Sequence, residues 1–172
     1  MQIIHVPQTL PPISRHCVPN SIFLAGPTPR SAGVQGWRQE ALQILGEAGY
    51  DGYVFIPQDK NWGWCGDYDR QVEWEWDALG RAERVLFWVP RNLETMPAFT
   101  TNVEFGFMAA TWPERMVLGF PEDSPKNRYL AAIANSIGTF ADKLGLPAPD
   151  GPIPVYHDLR AALLHGVQDE PR

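Results

Sequence analysis

One glutamate lies in an otherwise largely apolar segment, TTNVEFGFMAATWP, which covers residues 100–113. At about 100° per residue, Glu104 shares its side of a helix with Phe107, Met108 and Thr111. A position in the first helical turn, near the positive end of the helix dipole, favours the ionised carboxylate. An ionised carboxylate that is partly removed from water is a potential nucleophile, so Glu104 is the first candidate for chemistry.

Glu104 also fits a purely structural role. Thr101 and Glu104 have the spacing of a capping box, in which each side chain accepts a hydrogen bond from the other residue's backbone N–H. In that case Glu104 would only close the start of its helix. The sequence by itself leaves both roles open.

A second carboxyl group is needed if one acid is to attack while another moves a proton, and the segment EWEWD offers candidates. Val72, Trp76 and Leu79 recur at helical spacing, so we expect a helix with these residues on its buried face. On that helix Glu75 leans inwards, whereas Glu73 and Asp77 point away. Alternatively, Glu75 could extend to water or pair with an arginine. Trp74 would face the opposite side and need a second packing partner, such as another subunit.

Other side chains give weaker indications. The loop GPTPRSAG lacks both common phosphate-binding glycine patterns, although Gly26 would let a ligand approach the backbone closely. The two cysteines, Cys17 and Cys65, lack metal-site spacing, and we expect neither a metal ion nor another cofactor. No Ser-His-Asp arrangement is indicated. Three aromatic residues in or beside a glycine-rich loop could stack on a ring or anchor the loop: Trp62, Trp64 and Tyr68.

Composition excludes several classes of partner. The chain has 172 residues and a formal net charge of -6, which argues against a nucleic-acid polymer or an anionic membrane surface. No signal peptide or membrane-spanning apolar run is recognisable, so we expect a cytoplasmic protein with a small-molecule ligand. We expect a single domain over residues 1–172, with its core at about 21–165.

Short apolar runs alternate with helical patterns along the chain. This order predicts an α/β fold, a doubly wound parallel sheet of about five strands with helices on both faces. In such a sheet, ligands bind where strands lead into helices at the carboxyl edge. The predicted strand-to-helix loops are GPTPRSAG, QDKNWGWCGDYD and RNLETMPAFTT, and the last runs directly into Glu104.

Five segments, in this order, resemble the motifs of the nucleoside 2-deoxyribosyltransferase-like family: SIFLAGP, GWRQEA, VFIPQDKNW, EWEWDALGRAERVLFWVP and TTNVEFGFMAA. The resemblance covers roughly residues 21–120. It implies a flavodoxin-like fold, a homo-oligomer whose subunits complete one another's sites, and cleavage or transfer at the N-glycosidic bond of a (deoxy)nucleoside or nucleotide. A water molecule or a second base would then accept the sugar.

The resemblance also implies roles for individual residues. Glu104 would attack the anomeric carbon and form a glycosyl-enzyme ester, and Glu75 would contact the base and help it leave, with Asp77 as the alternative acid. Asn61 would touch the base. The loop under the sugar would contain Gly26 and Pro27.

Two positions depart from the family pattern. Ala98 stands where an Asp or Ser usually holds the 5' side of the sugar, so Thr100, Thr101 or Asn102 would have to substitute. Glu83 replaces a usual Asp. Two alternative functions therefore stay open: a non-catalytic nucleotide-binding or interaction module, and a hydrolase of another ribosyl compound such as NAD.

Overall fold

The computed structural model of this protein describes residues 1–30, 33–145 and 149–167. Its central feature is a sheet of six strands in the order β1-β3-β2-β4-β5-β6, and all neighbouring strands pair in parallel. The prediction of a doubly wound α/β fold is confirmed, with six strands in place of about five. The strands are β1 (Gln2–His5), β2 (Val18–Ala25), β3 (Tyr53–Ile56), β4 (Ala82–Trp88), β5 (Met116–Gly119) and β6 (Val155–Tyr156).

The additional strand is β1, which lies at the edge of the sheet beside β3. The other five strands have the order of the flavodoxin-like folds. Gln2 and Ile3 are exposed, so this segment carries neither a continuous buried run nor a clean alternation of polar and apolar residues. Its pairing partner lies about fifty residues further along the chain, and a local pattern cannot indicate such a pairing.

In the described part of the chain, five helices cover the two faces of the sheet. One apolar cluster joins α1 and α5 to one face, and the other joins α2, α3 and α4 to the opposite face. Within the described ranges, no helix is both long and apolar enough to cross a lipid bilayer. The helices are α1 (Trp37–Glu47), α2 (Tyr68–Arg81), α3 (Phe99–Thr111), α4 (Arg128–Leu144) and α5 (Leu159–Val167), and a 3-10 turn spans Pro113–Arg115.

The buried face of α2 differs from the prediction. Gln71, Trp74, Ala78 and Leu79 are buried, whereas Trp76 is 39% exposed. Trp74 packs against Phe23 of β2, and its indole N–H donates to a backbone carbonyl of the N-terminal segment. This segment is remote in sequence and covers the side of α2 that the apolar spacing left open, so Trp74 needs no second subunit.

Candidate active site

Helix α3 begins earlier than a capping box requires. Its N-cap is Ala98, in the left-handed conformation with φ 60° and ψ 37°, and the methyl side chain of this residue cannot cap the helix. Thr101 is therefore the third helical residue and Glu104 the sixth, in the second turn. The capping interpretation of Glu104 is wrong, and so is its assignment to the first turn, because the left-handed turn at Ala98 starts the helix at Phe99.

Glu104 lies in a cavity at the carboxyl edge of the sheet. The cavity sits between the loops that follow β2 and β4, where the strand order reverses and ligands bind in doubly wound folds. Its volume is about 160 Å³. The wall is formed by Phe23, Ala25, Gly26, Pro27, Thr28, Arg30, Arg38, Pro57, Trp64, Tyr68, Val72, Glu75, Pro97, Ala98, Phe99, Thr100 and Glu104.

The environment of Glu104 disfavours its charged form. Burial raises the pKa of its carboxyl group to about 7, and the negative charge of Glu75 adds to the rise, while Arg38 opposes it. Within the part of the chain that the structure describes, no donor forms a hydrogen bond with this carboxylate. The sequence-based expectation that a helix dipole favours ionisation is thus reversed, because Glu104 lies beyond the first turn and partly out of water.

Glu75 shares this cavity and is fixed more tightly. Gln71, which is buried, donates from Nε2 to Glu75 Oε1 at 2.6 Å and to the carbonyl of Pro57 at 3.0 Å. Burial raises the pKa of Glu75, while the hydrogen bond from Gln71 and the charge of Arg38 act in the opposite direction. Two carboxyl groups with raised pKa values therefore face one cavity.

Arg38 is a site residue that the sequence analysis missed. Its side chain is 1% exposed. It donates to the carbonyls of Leu24 (2.9 Å) and Gly26 (2.6 Å) and to the side chains of Thr28 and Gln58 (both 3.1 Å). Burial lowers its pKa to about 10, against the charges of the two glutamates, so Arg38 remains a cation at neutral pH.

A signal for Arg38 was present in the sequence. It lies on the same helical stripe as Ala41 and Leu45, so a charged side chain interrupts the buried face of α1. A buried arginine requires acceptors. Here the end of β2 and the loop after it supply two carbonyls, those of Leu24 and Gly26.

Gly26 and Pro27 line the cavity. Gly26 has φ 147°, and a Cβ atom there would lie 2.1 Å from the carbonyl oxygen of Trp88. Only glycine fits this close approach between the loop after β2 and the end of β4. The carbonyl of Pro27 accepts a hydrogen bond from the indole of Trp37 at 3.2 Å, which fixes the loop onto α1. Residues 31 and 32 of this loop lie outside the described residues.

Three other predicted contact residues do not line the Glu104 cavity. Asn61 is exposed and lines a neighbouring cavity with Gln58 and Trp62. Asp77 is exposed and forms an ion pair with Arg81 at 2.6 Å. Asn102 is exposed as well, and its Oδ1 accepts a hydrogen bond from Arg91 at 2.7 Å.

Of the three aromatic residues in the glycine-rich region, two reach the cavity. Trp64 and Tyr68 line it and are 59% and 68% exposed, so their rings stand at its mouth. Trp62 packs edge-on against His5 and belongs to the neighbouring cavity.

Fold and site together define a doubly wound α/β protein. Its cavity lies at the switch point, where the strand order reverses, and contains two carboxyl groups and one buried cation. The chain belongs to the nucleoside 2-deoxyribosyltransferase-like family, whose sequence model matches residues 19–124. The match includes every residue that lines the cavity. Family membership supports, in general terms, a role in glycosyl transfer with a small nucleoside substrate. No curated protein matches the chain.

Proposed function

We propose that this protein cleaves or transfers at the N-glycosidic bond of a (deoxy)nucleoside or nucleotide, through a covalent ester on Glu104. The observation that carries the proposal is the meeting of Glu104, Glu75 and Arg38 at one cavity where the strand order reverses. Retaining glycosyl transfer needs a nucleophilic carboxylate and a second acid that handles the proton of the leaving group.

The proposed reaction has two displacements. In the first, a carboxylate oxygen of Glu104 bonds to C1' of the sugar, the C1'–N bond breaks, and its electron pair leaves with the base. Glu75 supplies the proton that the departing base takes up. In the second, water or another base attacks C1', the ester bond breaks, Glu104 leaves as a carboxylate, and the incoming nucleophile's proton returns to Glu75. Two inversions give overall retention.

The raised pKa values of the two glutamates fit a reaction in which one carboxyl group donates a proton and later takes one back. Below about pH 7 the pair retains at least one proton, because burial disfavours ionisation of both groups and the negative charge of Glu75 further disfavours that of Glu104. A single retained proton can reside on either group. The reactive arrangement has it on Glu75, with Glu104 ionised. The positive charge of Arg38 limits the rise in both pKa values and so keeps an ionised carboxylate accessible.

Within this proposal, Gly26 and Pro27 form the wall beside the substrate, and the rings of Trp64 and Tyr68 are available for stacking on a base. Asn61, Asp77 and Asn102 lie outside the cavity, so the proposal assigns them no contact within one chain.

A second copy of this chain is the proposed partner. The cavity volume of about 160 Å³ is below the roughly 300–1,000 Å³ of typical ligand pockets, so one chain encloses only part of a substrate. Beside the cavity mouth, α3 presents Phe99, Val103 and Phe107, which are 65%, 65% and 40% exposed. Trp76 of α2 packs edge-on against Phe107 at 4.6 Å between ring centroids and extends this face. Such a contiguous apolar surface favours association.

The test is release of free base from a panel of nucleosides, nucleoside monophosphates and NAD, with and without a second base as acceptor. We expect release from a nucleoside or nucleotide and a loss of at least a hundredfold in E104A. Release from NAD alone would support a hydrolase of another ribosyl compound. Binding without turnover of any compound would support a non-catalytic module, and full activity in E104A would refute the proposal.

A further inference from the structure

A second buried arginine, Arg91, lies at the carboxyl edge of the sheet and outside the cavity. It follows the end of β4 and is 6% exposed. Among the residues that the structure describes, no carboxylate forms an ion pair with it. A buried cation without a counter-ion is unfavourable, so the hydrogen bonds of Arg91 have to offset the cost of removing its charge from water.

The Arg91 guanidinium connects three segments of the chain. Nη1 donates to the carbonyl of Pro97 at 2.6 Å, Nη2 to Oδ1 of Asn102 at 2.7 Å, and Nε to Oδ1 of Asn127 at 3.1 Å. Asn127 in turn donates to the carbonyl of Val89 at 2.9 Å. One side chain thereby ties the end of β4 to the loop before α3, to the first turns of α3 and to the start of α4.

Two of these bonds lie on either side of Ala98, the N-cap of α3. Pro97 precedes it, and Asn102 follows it by one helical turn. Ala98 adopts a left-handed conformation, which is unfavourable for a residue with a Cβ atom. The methyl group of Ala98 cannot cap the helix, so the direction in which α3 starts depends on contacts from elsewhere. Arg91 supplies such contacts on both sides of the turn.

The start of α3 determines where Glu104 lies, because this residue stands in the second turn of the helix. Pro97 and Ala98 also line the cavity directly. We propose that Arg91 and Asn102 form a clamp that holds the start of α3 so that Glu104 reaches the sugar carbon. Arg91 and Asn102 are then positioning residues, and Asn102 is not a substrate contact. This inference rests on the proposed function.

The test compares N102A and R91K with wild type in three measurements: kcat, KM, and hydrogen exchange in the peptide that spans residues 97–104. N102A removes one acceptor from an exposed position, and R91K keeps the charge but not the three-directional hydrogen bonding. A displaced nucleophile lowers kcat by roughly tenfold to a hundredfold, while KM changes little. Exchange at the start of α3 should become faster in both variants.

Two further variants separate positioning from general stability. N102D keeps the acceptor oxygen, so it should restore kcat and slow exchange. R115K alters another largely buried arginine, whose Nη1 donates to the carbonyls of Gly80 and Ala82. These carbonyls lie near the amino ends of the strands, on the far side of the sheet from the carboxyl ends that line the cavity. We expect R115K to keep the wild-type kcat even if its melting temperature falls as far as that of R91K.

Wild-type kcat and exchange in N102A and R91K would overturn the clamp, and so would an equal loss of kcat in R115K. If the wild-type protein releases no base from any nucleoside, the proposed function fails instead. The exchange measurement then still decides whether Arg91 and Asn102 hold the start of α3.

Discussion

Glu104 lies where ionisation is unfavourable. Its pKa is raised from an ordinary 4.5 to about 7, chiefly by burial. A group whose pKa is higher in the folded than in the unfolded state contributes stability below its unfolded pKa. That contribution is lost as the pH rises through the folded pKa. Ionisation of Glu104 should therefore lower the free energy of unfolding as the pH rises from about 4.5 to about 7.

The first prediction concerns the uncharged variant E104Q. Near pH 8 it should be more stable than wild type by about 2 kcal/mol, because wild type must hold a buried charge. Near pH 5 the two should be almost equal. Denaturant unfolding at both pH values measures the difference. Equal free energies of unfolding at pH 8 would mean that the Glu104 carboxylate is freely hydrated.

The second prediction separates Glu75 from its exposed neighbour Glu73. E75Q should lower kcat/KM by about 10²–10⁴-fold, because it removes the proton that the leaving base needs. Glu73 lies on the same helix and points to solvent, so E73Q should behave like wild type.

The pH profile provides an independent check of the same assignment. Wild-type kcat/KM should fall as the pH rises above about 7, because the pair then loses its last proton. In E75Q this fall should disappear, and activity should instead rise as Glu104 ionises. The removal of the neighbouring charge should also lower the pKa of Glu104. An unchanged profile in E75Q would exclude Glu75 as the acid.

At this scale the sequence indicated the two carboxyl groups but not the residues that hold them. Glu104 and Glu75 stand out because acids interrupt apolar helical faces. Arg38 interrupts such a face too, yet two of its four acceptors are backbone carbonyls, which carry no side-chain signature, and the other two come from separate loops. The hydrogen bond between Arg91 and Asn102 likewise depends on how the segment after β4 folds back against the start of α3.

At the scale of elements, the loop after β2 packs in close contact with the end of β4 at the site. Gly26 lets this loop approach the end of β4, and its carbonyl holds Arg38. The third prediction is that the free energy of unfolding of G26A is lower than that of wild type by about 2 kcal/mol or more, because the added Cβ atom would overlap the carbonyl of Trp88. Thermal or denaturant unfolding measures this effect.

A matched control is available in α1. Gly46 is exposed in that helix, and a Cβ atom there would meet no neighbour within 4 Å. G46A should be neutral or more stable by about 0.5–1 kcal/mol, because alanine favours a helix. If G26A were as stable as G46A, the close approach at the switch point would not constrain the site.

The elements with strong local patterns were predictable. The unbroken apolar run of β4 and the alternation of strands and helices predicted the doubly wound sheet. The start of α3 was not, because the capping pattern at Thr101 competes with a left-handed turn that tertiary contacts stabilise. The buried face of α2 was also misjudged, because the segment that covers Trp74 comes from the far end of the chain.

At the scale of the whole molecule, exposed apolar residues gather beside the cavity mouth, on α2 and α3. The fourth prediction is that V103E dissociates the proposed homo-oligomer, because a charge in the middle of the proposed apolar interface would be unfavourable. Light scattering after size exclusion measures the mass. Y129E changes an apolar side chain that is 76% exposed on α4 and should leave the oligomer intact. A monomeric wild type, or an oligomer unaffected by V103E, would contradict this assignment.

The central claim is that Glu104 forms a covalent bond with C1' of a sugar, and mass spectrometry of a trapped intermediate tests it most directly. The protein would be incubated with a nucleoside whose sugar carries fluorine at C2', which slows breakdown of the ester. We predict a mass increase of one fluorinated sugar on the peptide that contains Glu104, and no such increase in E104Q. An adduct on another residue, or turnover of nucleosides by E104Q at the wild-type rate, would contradict the account.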